Sequence, residues 1–583
     1  MTVNETQRWP AGLSEQRKEL AARLLAARRR GTGDGVPLVP RDGALLECSP
    51  EQRRLWLTAQ ADRHSATPNV TLGLGLSGPL DLAALDRALA GLVERHETLR
   101  TVFVNSGGEP RQMILSRVEV PLTVVDLSGE PGGERVAREM ARAAGGERFD
   151  LATGPLLRLT VYRLSPSEHR LLLVLHHIVC DGGSLGVVAR ELATLYGGGA
   201  PPEPQAVRYA DYAAWAAARA RPQAEQRLPF WRERLGDDPP VCVRFPAEEH
   251  DPRETRRTAT TSLQVSAALV DALRGGAATP FATVLTAFMV LLHRVRAETG
   301  GGAGPGVTVG TVSAGRARRE FEQIVGCFAN MVPVHVRVDG TLGFRALVDA
   351  TRRELGAALA NEIPFDTLVS GLGGRRRPGV HPVFQLAFIQ RDDPRPPDGW
   401  PGLRAFEWGQ EVDDTPYDLT LTMTPHRSGY DLILTHRLDR VSRRAAAALA
   451  TAFETLLTAL SISPDVPVDD LALPALEGFQ GRLTDPEGRA RPQSPPAALG
   501  PADEVLAAEA GRIWCEVLGV PRAEADADLF ELGGDSLAVT RIAAHVKERL
   551  GVEIPAWAIF EAPTVTGLVG ALAASRGRPA TRD

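Results

Sequence analysis

Residues 478–503, GFQGRLTDPEGRARPQSPPAALGPAD, constrain the fold most, because they carry Pro, Gly, Arg and Ser without hydrophobic periodicity and so read as a linker. They split the 583-residue chain into a large N-terminal part and a segment of about 75 residues. That segment is patterned as helix in EVLAAEAGRIWCEVLGV, SLAVTRIAAHVKERL and PTVTGLVGALAAS. It is expected to form a small all-α domain over 504–576, with Leu537, Ile542, Val546 and Leu550 in its core and a tail at 577–583.

The large part alternates strands and helices. TLGLGLSG precedes DLAALDRALAGLVERH, where Asp81 can cap a helix whose Leu82, Leu85, Leu89 and Leu92 share a face. LLRLTVYRL and HRLLLVLHH read as two strands joined by the turn SPSE. A second series opens with TATTSLQVS and with Thr279-Pro280 ahead of the apolar helix FATVLTAFMVLLHRV, and VTVGTVSAG, PVFQLAFIQ and YDLILTHRL supply more strands. Two α/β halves follow, 44–215 and 216–477. Ahead of them, LSEQRKELAARLLAARRR at 13–30 predicts a short helix within a 1–43 leader, either a docking element or a packed N-terminal helix.

A formal net charge of -6 gives no electrostatic reason for nucleic-acid binding. The five cysteines, Cys48, Cys180, Cys242, Cys327 and Cys515, are scattered singly, which suits a reducing compartment and implies neither a disulfide framework nor a zinc ribbon. MTVNETQRW lacks an export core and no apolar run approaches the ~20 residues that span a bilayer, so a cytoplasmic protein without membrane contact is expected.

The stretch LLLVLHHIVCDGGSLGVV, Leu171 to Val188, carries the densest chemistry. On a strand through residue 177, His176 and His177 would face opposite ways and could not share a metal, and the other histidines are isolated, so no metal site is expected. An imidazole at a strand end can share the proton of an attacking amine, hydroxyl or thiol. Asp181 would shape the turn by bonding backbone or an arginine. Gly182 and Gly183 would let backbone amides approach closely, and Ser184 would cap the next helix. Cys180 reads as a buried small residue. By itself, His-x-x-x-Asp leaves a catalytic loop and a structural turn both open.

The string HHIVCDG resembles the HHxxxDG motif of nonribosomal peptide synthetase condensation domains. SPEQRRLWL (49–57), RHETLRTVF (95–103), YADYAAW (209–215), VGTVSAGRARREFEQIVGCFANMVPV (309–334), IPFDTLV and HPVFQLAF resemble further motifs of that family, in order over about 44–475. The resemblance implies two chloramphenicol-acetyltransferase-like α/β lobes in a V-shaped pseudo-dimer around a tunnel. It implies that His177 is the catalytic histidine, that His176 supports it, and that Asp181, with Gly182, belongs to the motif in a structural role paired with an arginine. Arg316 and Asn330 lie in the fifth matched string. DLFELGGDSLAVTRI resembles the peptidyl carrier motif, which implies a four-helix carrier with 4′-phosphopantetheine attached at Ser536. The slim Gly533-Gly534 turn and a serine at a helix N-terminus suit such a phosphodiester.

Two positions depart from the pattern: Gly183 stands where the family usually has a bulky aromatic, predicting a wider or more mobile tunnel wall, and Ala360 stands where a histidine is common. The largest departure is that only about 26 residues separate condensation-like and carrier-like parts, where an adenylation domain is typical. The resemblance therefore implies an amide-forming acyltransferase with an upstream donor carrier, an adenylation enzyme acting in trans on Ser536 and a phosphopantetheinyl transferase as partners. A flexible linker of that length has a typical span of roughly 25–30 Å, enough to let the carrier serve its own condensation domain. The competing readings are ester formation or release onto a free nucleophile, and a non-catalytic recruitment platform with a carrier.

Overall fold

The computed structural model describes residues 35–476 and 501–576 apart from short internal segments, among them 62–68, 237–244, 246–257, 300–305, 373–380, 410–414 and 533–535. The expected helix at 13–30 and the linker up to residue 500 lie outside the described residues.

In the N-terminal half a five-stranded sheet has the order Arg404–Glu407, Asn69–Ser77, Glu168–His176, Leu157–Ser165, Leu122–Asp126. The strands Leu157–Ser165 and Glu168–His176 form the expected hairpin, paired antiparallel with Val161 opposite Leu171. Two helices, Leu82–Arg95 and Gly182–Tyr196, cover one face and bury Leu85, Leu89, Leu92, Val188 and Leu192 with Leu157, Leu159, Leu171, Leu173 and Leu175. Alternate leucines of one strand thus meet the helices, while Leu172 and Val174 pack on the opposite face with Tyr162 and Trp408. Asp81 caps the first helix as expected, its carboxylate accepting the Ala84 amide at 3.0 Å.

The C-terminal half holds a six-stranded sheet in the order Asn330–Val336, Val307–Ser313, Leu386–Gln390, Leu419–His426, Gly429–Arg437, Thr258–Ser266. Its core is built by the helices Pro280–Glu298, Phe344–Ala360 and Arg443–Ile462. Thr279 caps the first of these with Pro280 in its first turn. Pro280–Glu298 and Arg443–Ile462 are long and apolar enough to span a bilayer, which corrects the expectation that no such run exists. Both are core helices here, the first burying residues on every side and the second a face of Leu449, Phe453, Leu456 and Leu460.

The two halves interlock in ways the sequence division at 215/216 does not anticipate. Helix Tyr209–Leu235 runs through that boundary unbroken despite Pro222 and Pro229 inside it. Strand Arg404–Glu407, from the second half, closes the edge of the first half's sheet, its Phe406 opposite Gly75. A Cβ on Gly75 would lie 2.1 Å from the Phe406 ring, so only glycine admits this crossing.

The last segment is a four-helix unit, Pro501–Leu518, Ser536–Leu550, Ala556–Glu561 and Val565–Arg576, so its first helix begins three residues before the expected boundary at 504. Trp514, Ile542, Val546, Ile559, Leu568 and Leu572 form its core, with Leu550 packed against it.

Candidate active site

The histidine strand is central in its sheet and ends at His176, which lies opposite Asn69. The chain turns there, one residue earlier than expected: the His176 carbonyl accepts the Val179 amide at 3.0 Å and the His177 carbonyl accepts the Cys180 amide at 3.2 Å. The two rings therefore part because His177 rides in a turn, rather than by strand alternation. His176 is buried, accepts the Ile178 amide on Nδ1 at 3.1 Å and meets Phe149 edge-on. Burial, and after it the neighbouring His177, depress its pKa to about 3, which keeps it neutral. His177 is half-buried, with Nδ1 3.7 Å from Cys327 Sγ. Burial lowers its pKa too, partly offset by the Asp181 carboxylate, so near neutral pH it is an uncharged imidazole able to take a proton.

Asp181 is the N-cap of helix Gly182–Tyr196, its Oδ1 accepting the Ser184 amide at 2.8 Å. This corrects the expectation that Ser184 caps the helix: the helix starts two residues before Ser184, whose hydroxyl is engaged in the next layer of contacts. Ser184 Oγ lies 2.7 Å from Asp181 Oδ1 and 2.8 Å from the Gly326 carbonyl, and accepts from the Gly326 amide at 3.0 Å and from Arg316 Nη2 at 2.7 Å. Arg316 Nη2 also reaches Asp181 Oδ1 at 2.9 Å, while Nη1 donates to the carbonyls of Phe321 and Ile324 at 2.6 and 2.8 Å. Asp181 Oδ2 accepts the Phe328 amide at 2.9 Å, and the guanidinium lies 4.1 Å over the Phe328 ring. The buried pair Asp181–Arg316 thus bolts the helix cap of one half to the 316–328 loop of the other.

Gly182 is exposed, and a Cβ there would meet nothing within 4 Å; at Gly183 a Cβ would lie 3.1 Å from Arg316 Nε. The space beside Gly183 is bounded by Arg316, so a side chain there would press on the interlobe bolt before it reached any tunnel wall. Cys180 is fully buried and its thiol pKa is pushed well up by burial, which removes it as a nucleophile. Asn330 is satisfied locally: it donates to Glu362 Oε1 at 3.0 Å and to the Ile363 carbonyl at 2.9 Å, and accepts the Phe365 amide at 3.1 Å.

Cys327, beside His177, and two residues linked to Cys327, Tyr209 and Glu51, carried no individual signal in the sequence. Cys327 stands 150 residues away from His177 in the chain. Tyr209 donates to the Cys327 carbonyl at 2.5 Å and meets Ser49 Oγ at 3.0 Å. Glu51, buried at the start of helix Pro50–Ala61, lies 3.5 Å from the Tyr212 hydroxyl, and burial pushes its pKa up to about 7. Ser49, Glu51, Tyr209 and Cys327 all fall inside the matched strings, which marked the segments but not which side chains converge.

Ser536 is the first residue of helix Ser536–Leu550, and Gly533, Gly534 and Asp535 lie outside the described residues. One turn further along, the helix meets the hairpin between strands Thr101–Ser106 and Glu109–Ile114. Thr540 Oγ1 donates to the Gly108 carbonyl at 2.8 Å, and Arg541 pairs with Glu109 at 2.7 Å, a carboxylate that also pairs with Arg53 at 2.7 Å. Gly108 has φ +86, and a Cβ on it would fall 2.9 Å from Arg541 Cα, so the left-handed glycine permits this approach.

Residues 45–478 match the family described as Condensation domain, and residues 511–572 match the phosphopantetheine attachment site. Phosphinothricin tripeptide synthetase PhsC of Streptomyces viridochromogenes is 33% identical over 491 residues, covering 79% of this chain and 43% of that protein. The dimodular nonribosomal peptide synthase of Bacillus subtilis is 31% identical over 459 residues, covering 74% of this chain and 19% of that one. The chain thus spans less than half the length of these relatives. Among solved structures, the X-domain from teicoplanin biosynthesis superposes with a TM-score of 0.66 at 26% identity, over 75% of this chain and 100% of that one. SgcC5 from Streptomyces globisporus, solved with a naphthyl ethanediol and sucrose, gives 0.61 at 26% identity, over 72% and 100%. The two-lobed α/β fold expected from the motifs is the fold of these neighbours, and the helical segment is the expected carrier. The chain belongs to the condensation-domain family of nonribosomal peptide synthetases, with a phosphopantetheine carrier domain following the condensation domain.

Proposed function

We propose that the protein forms an amide bond between an acyl or peptidyl thioester, delivered by a separate donor carrier, and an amine held as a thioester on its own carrier through 4′-phosphopantetheine at Ser536. The observation that carries this reading is the pairing of two features. An uncharged imidazole, His177, stands at the seam of the two lobes, and the helix that begins with Ser536 rests against the same N-terminal lobe through Thr540, Arg541, Gly108 and Glu109. In this mechanism His177 accepts, directly or as the charge develops, the proton that the acceptor amine loses on attacking the donor carbonyl, and the donor thiolate leaves. His176 supports the turn from behind, Asp181 fixes the loop through Arg316, and Gly182 opens the helix that Asp181 caps.

With no adenylation domain between 478 and 501, loading of Ser536 falls to an adenylation enzyme acting in trans, after a phosphopantetheinyl transferase has installed the arm. Such chemistry belongs in the cytoplasm, where the five scattered cysteines stay reduced. SgcC5, solved with a diol, supports a second reading in which a free hydroxyl compound is the nucleophile and an ester the product. The two part in one experiment: holo protein and a Ser536→Ala variant are given an acyl thioester and either an aminoacyl arm or a free diol. Transfer that requires Ser536 and ends on the arm supports amide formation in cis. Equal transfer by the Ser536→Ala variant to the diol supports the ester reading and overturns the first.

A further inference from the structure

Cys327 is held against His177 by an arrangement more elaborate than filling space requires. The residue before it is held at both its amide and its carbonyl: the Gly326 amide donates to Ser184 Oγ at 3.0 Å, and the Gly326 carbonyl accepts the Asp181 amide at 3.1 Å. The peptide after it is clamped by Asp181 Oδ2 on the Phe328 amide at 2.9 Å. The Cys327 carbonyl is itself fixed by the Tyr209 hydroxyl at 2.5 Å, and the ring of Tyr209 occupies the space where any Cβ on Gly326 would fall. Asp181, Ser184 and Tyr209 therefore fix the main chain around a fully buried thiol whose Sγ lies 3.7 Å from His177 Nδ1.

What that contact does follows from hydrogen-bond inventory. The sulfur meets Nδ1, and of the two neutral tautomers only the one with its hydrogen on Nδ1 leaves Nε2 a lone pair. In that tautomer the thiol sulfur is a weak acceptor for the Nδ1–H. We infer that Cys327 is a positioning residue for His177: its sulfur holds the proton on Nδ1, leaving Nε2 with the lone pair to meet the acceptor's proton. Among the described residues, Nε2 meets no hydrogen-bond partner. Cys327 is not a nucleophile in this arrangement, since burial beside the Asp181 and Glu51 carboxylates pushes its thiol pKa well up.

When Nε2 takes a proton, the Nδ1–H becomes more acidic and the sulfur acceptor gains value, so the contact strengthens as charge develops. The other titratable and charged groups acting on the ring are His176 and Asp181 from its own loop and Arg54 from helix Pro50–Ala61, while Glu51, Arg316, Tyr209 and Tyr212 surround Cys327. Asp181 favours the imidazolium and Arg54 opposes it.

The inference rests on His177 being the catalytic histidine, and its test reads the ring directly as well as the reaction. Full-length holo protein labelled with 15N-histidine is examined at pH 7.5, the His177 resonances being identified by their loss in His177→Ala. The expected wild-type signal is a protonated Nδ1 and an unprotonated Nε2. In Cys327→Ala the proton population moves toward Nε2, kcat for amide formation falls about 2- to 10-fold with KM little changed, and the acid limb of kcat moves to lower pH because the imidazolium has lost an acceptor. Cys327→Ser, which keeps an acceptor atom, restores the limb. A wild-type ring protonated on Nε2, an acid limb that moves up (the thiol was then the donor), or resonances and limb that do not move would each overturn the inference. The expected tautomer shift with no transfer from any donor would instead sink the catalytic reading alone.

Discussion

At the scale of single residues, the site depends on two charge states set by burial. His176 titrates near 3 when folded against about 6.5 when unfolded, so it contributes stability that is present above pH 6.5 and is lost as pH falls from 6.5 toward 3. Glu51 has the opposite sign: raised from 4.5 to about 7, it contributes stability below pH 4.5 that is lost as pH rises through 7. Urea unfolding across pH 4–8 is expected to show a shallower acid decline in His176→Gln and a shallower loss between pH 4.5 and 7 in Glu51→Gln; curves parallel to wild type would contradict either assignment. The Asp181–Arg316 pair is buried on both sides, so Arg316→Met strands a carboxylate and is expected to cost about 3–5 kcal/mol in the same assay. The histidine motif was legible in the sequence because its meaning lies in seven consecutive residues. Cys327 was not legible as a partner of His177, because a lone cysteine 150 residues away gains meaning only once Asp181 and Ser184 clamp the peptides on either side of it.

Among the elements, helix periodicity and caps transferred well from sequence to structure. Asp81 and Thr279 cap where local chemistry predicts, because an N-cap needs only the next three residues to be decided. Elements whose place depends on distant partners did not transfer. Strand Arg404–Glu407 is four residues without strong alternation and joins the other lobe's sheet, and helix Tyr209–Leu235 runs through the expected division at 215/216 with two prolines inside it. The helix beginning at Ser536 gives an element-scale prediction. Arg541→Glu sets a carboxylate against Glu109, and transfer to the protein's own arm in single turnover is expected to slow about 2- to 10-fold, less so at high salt. An unchanged rate would mean that this face does not take part in transfer. Gly183→Trp is expected to displace Arg316 and to lower both thermal stability and transfer, whereas a change in acyl selectivity at unchanged stability would favour an effect on the tunnel itself.

For the whole molecule, the boundary near residue 478 is visible in composition alone, and the matched families fall on either side of it, at 45–478 and 511–572. What composition cannot supply is how the two lobes lock, since that depends on Phe406 crossing at Gly75 and on Arg316 reaching Asp181. The lobes place His177 at their seam and the carrier rests on the first lobe, and the proposed function makes one demand of chemistry: acyl transfer to an amine on Ser536 depends on His177. The direct measurement is intact-protein mass spectrometry of wild type and His177→Ala, each carrying an aminoacyl-phosphopantetheine arm on Ser536 and each given a panel of soluble acyl thioesters. The account predicts that the arm gains the acyl mass in wild type, and that His177→Ala does so at least about 100-fold more slowly while holding the same aminoacyl arm. Equal rates in the two proteins would contradict it.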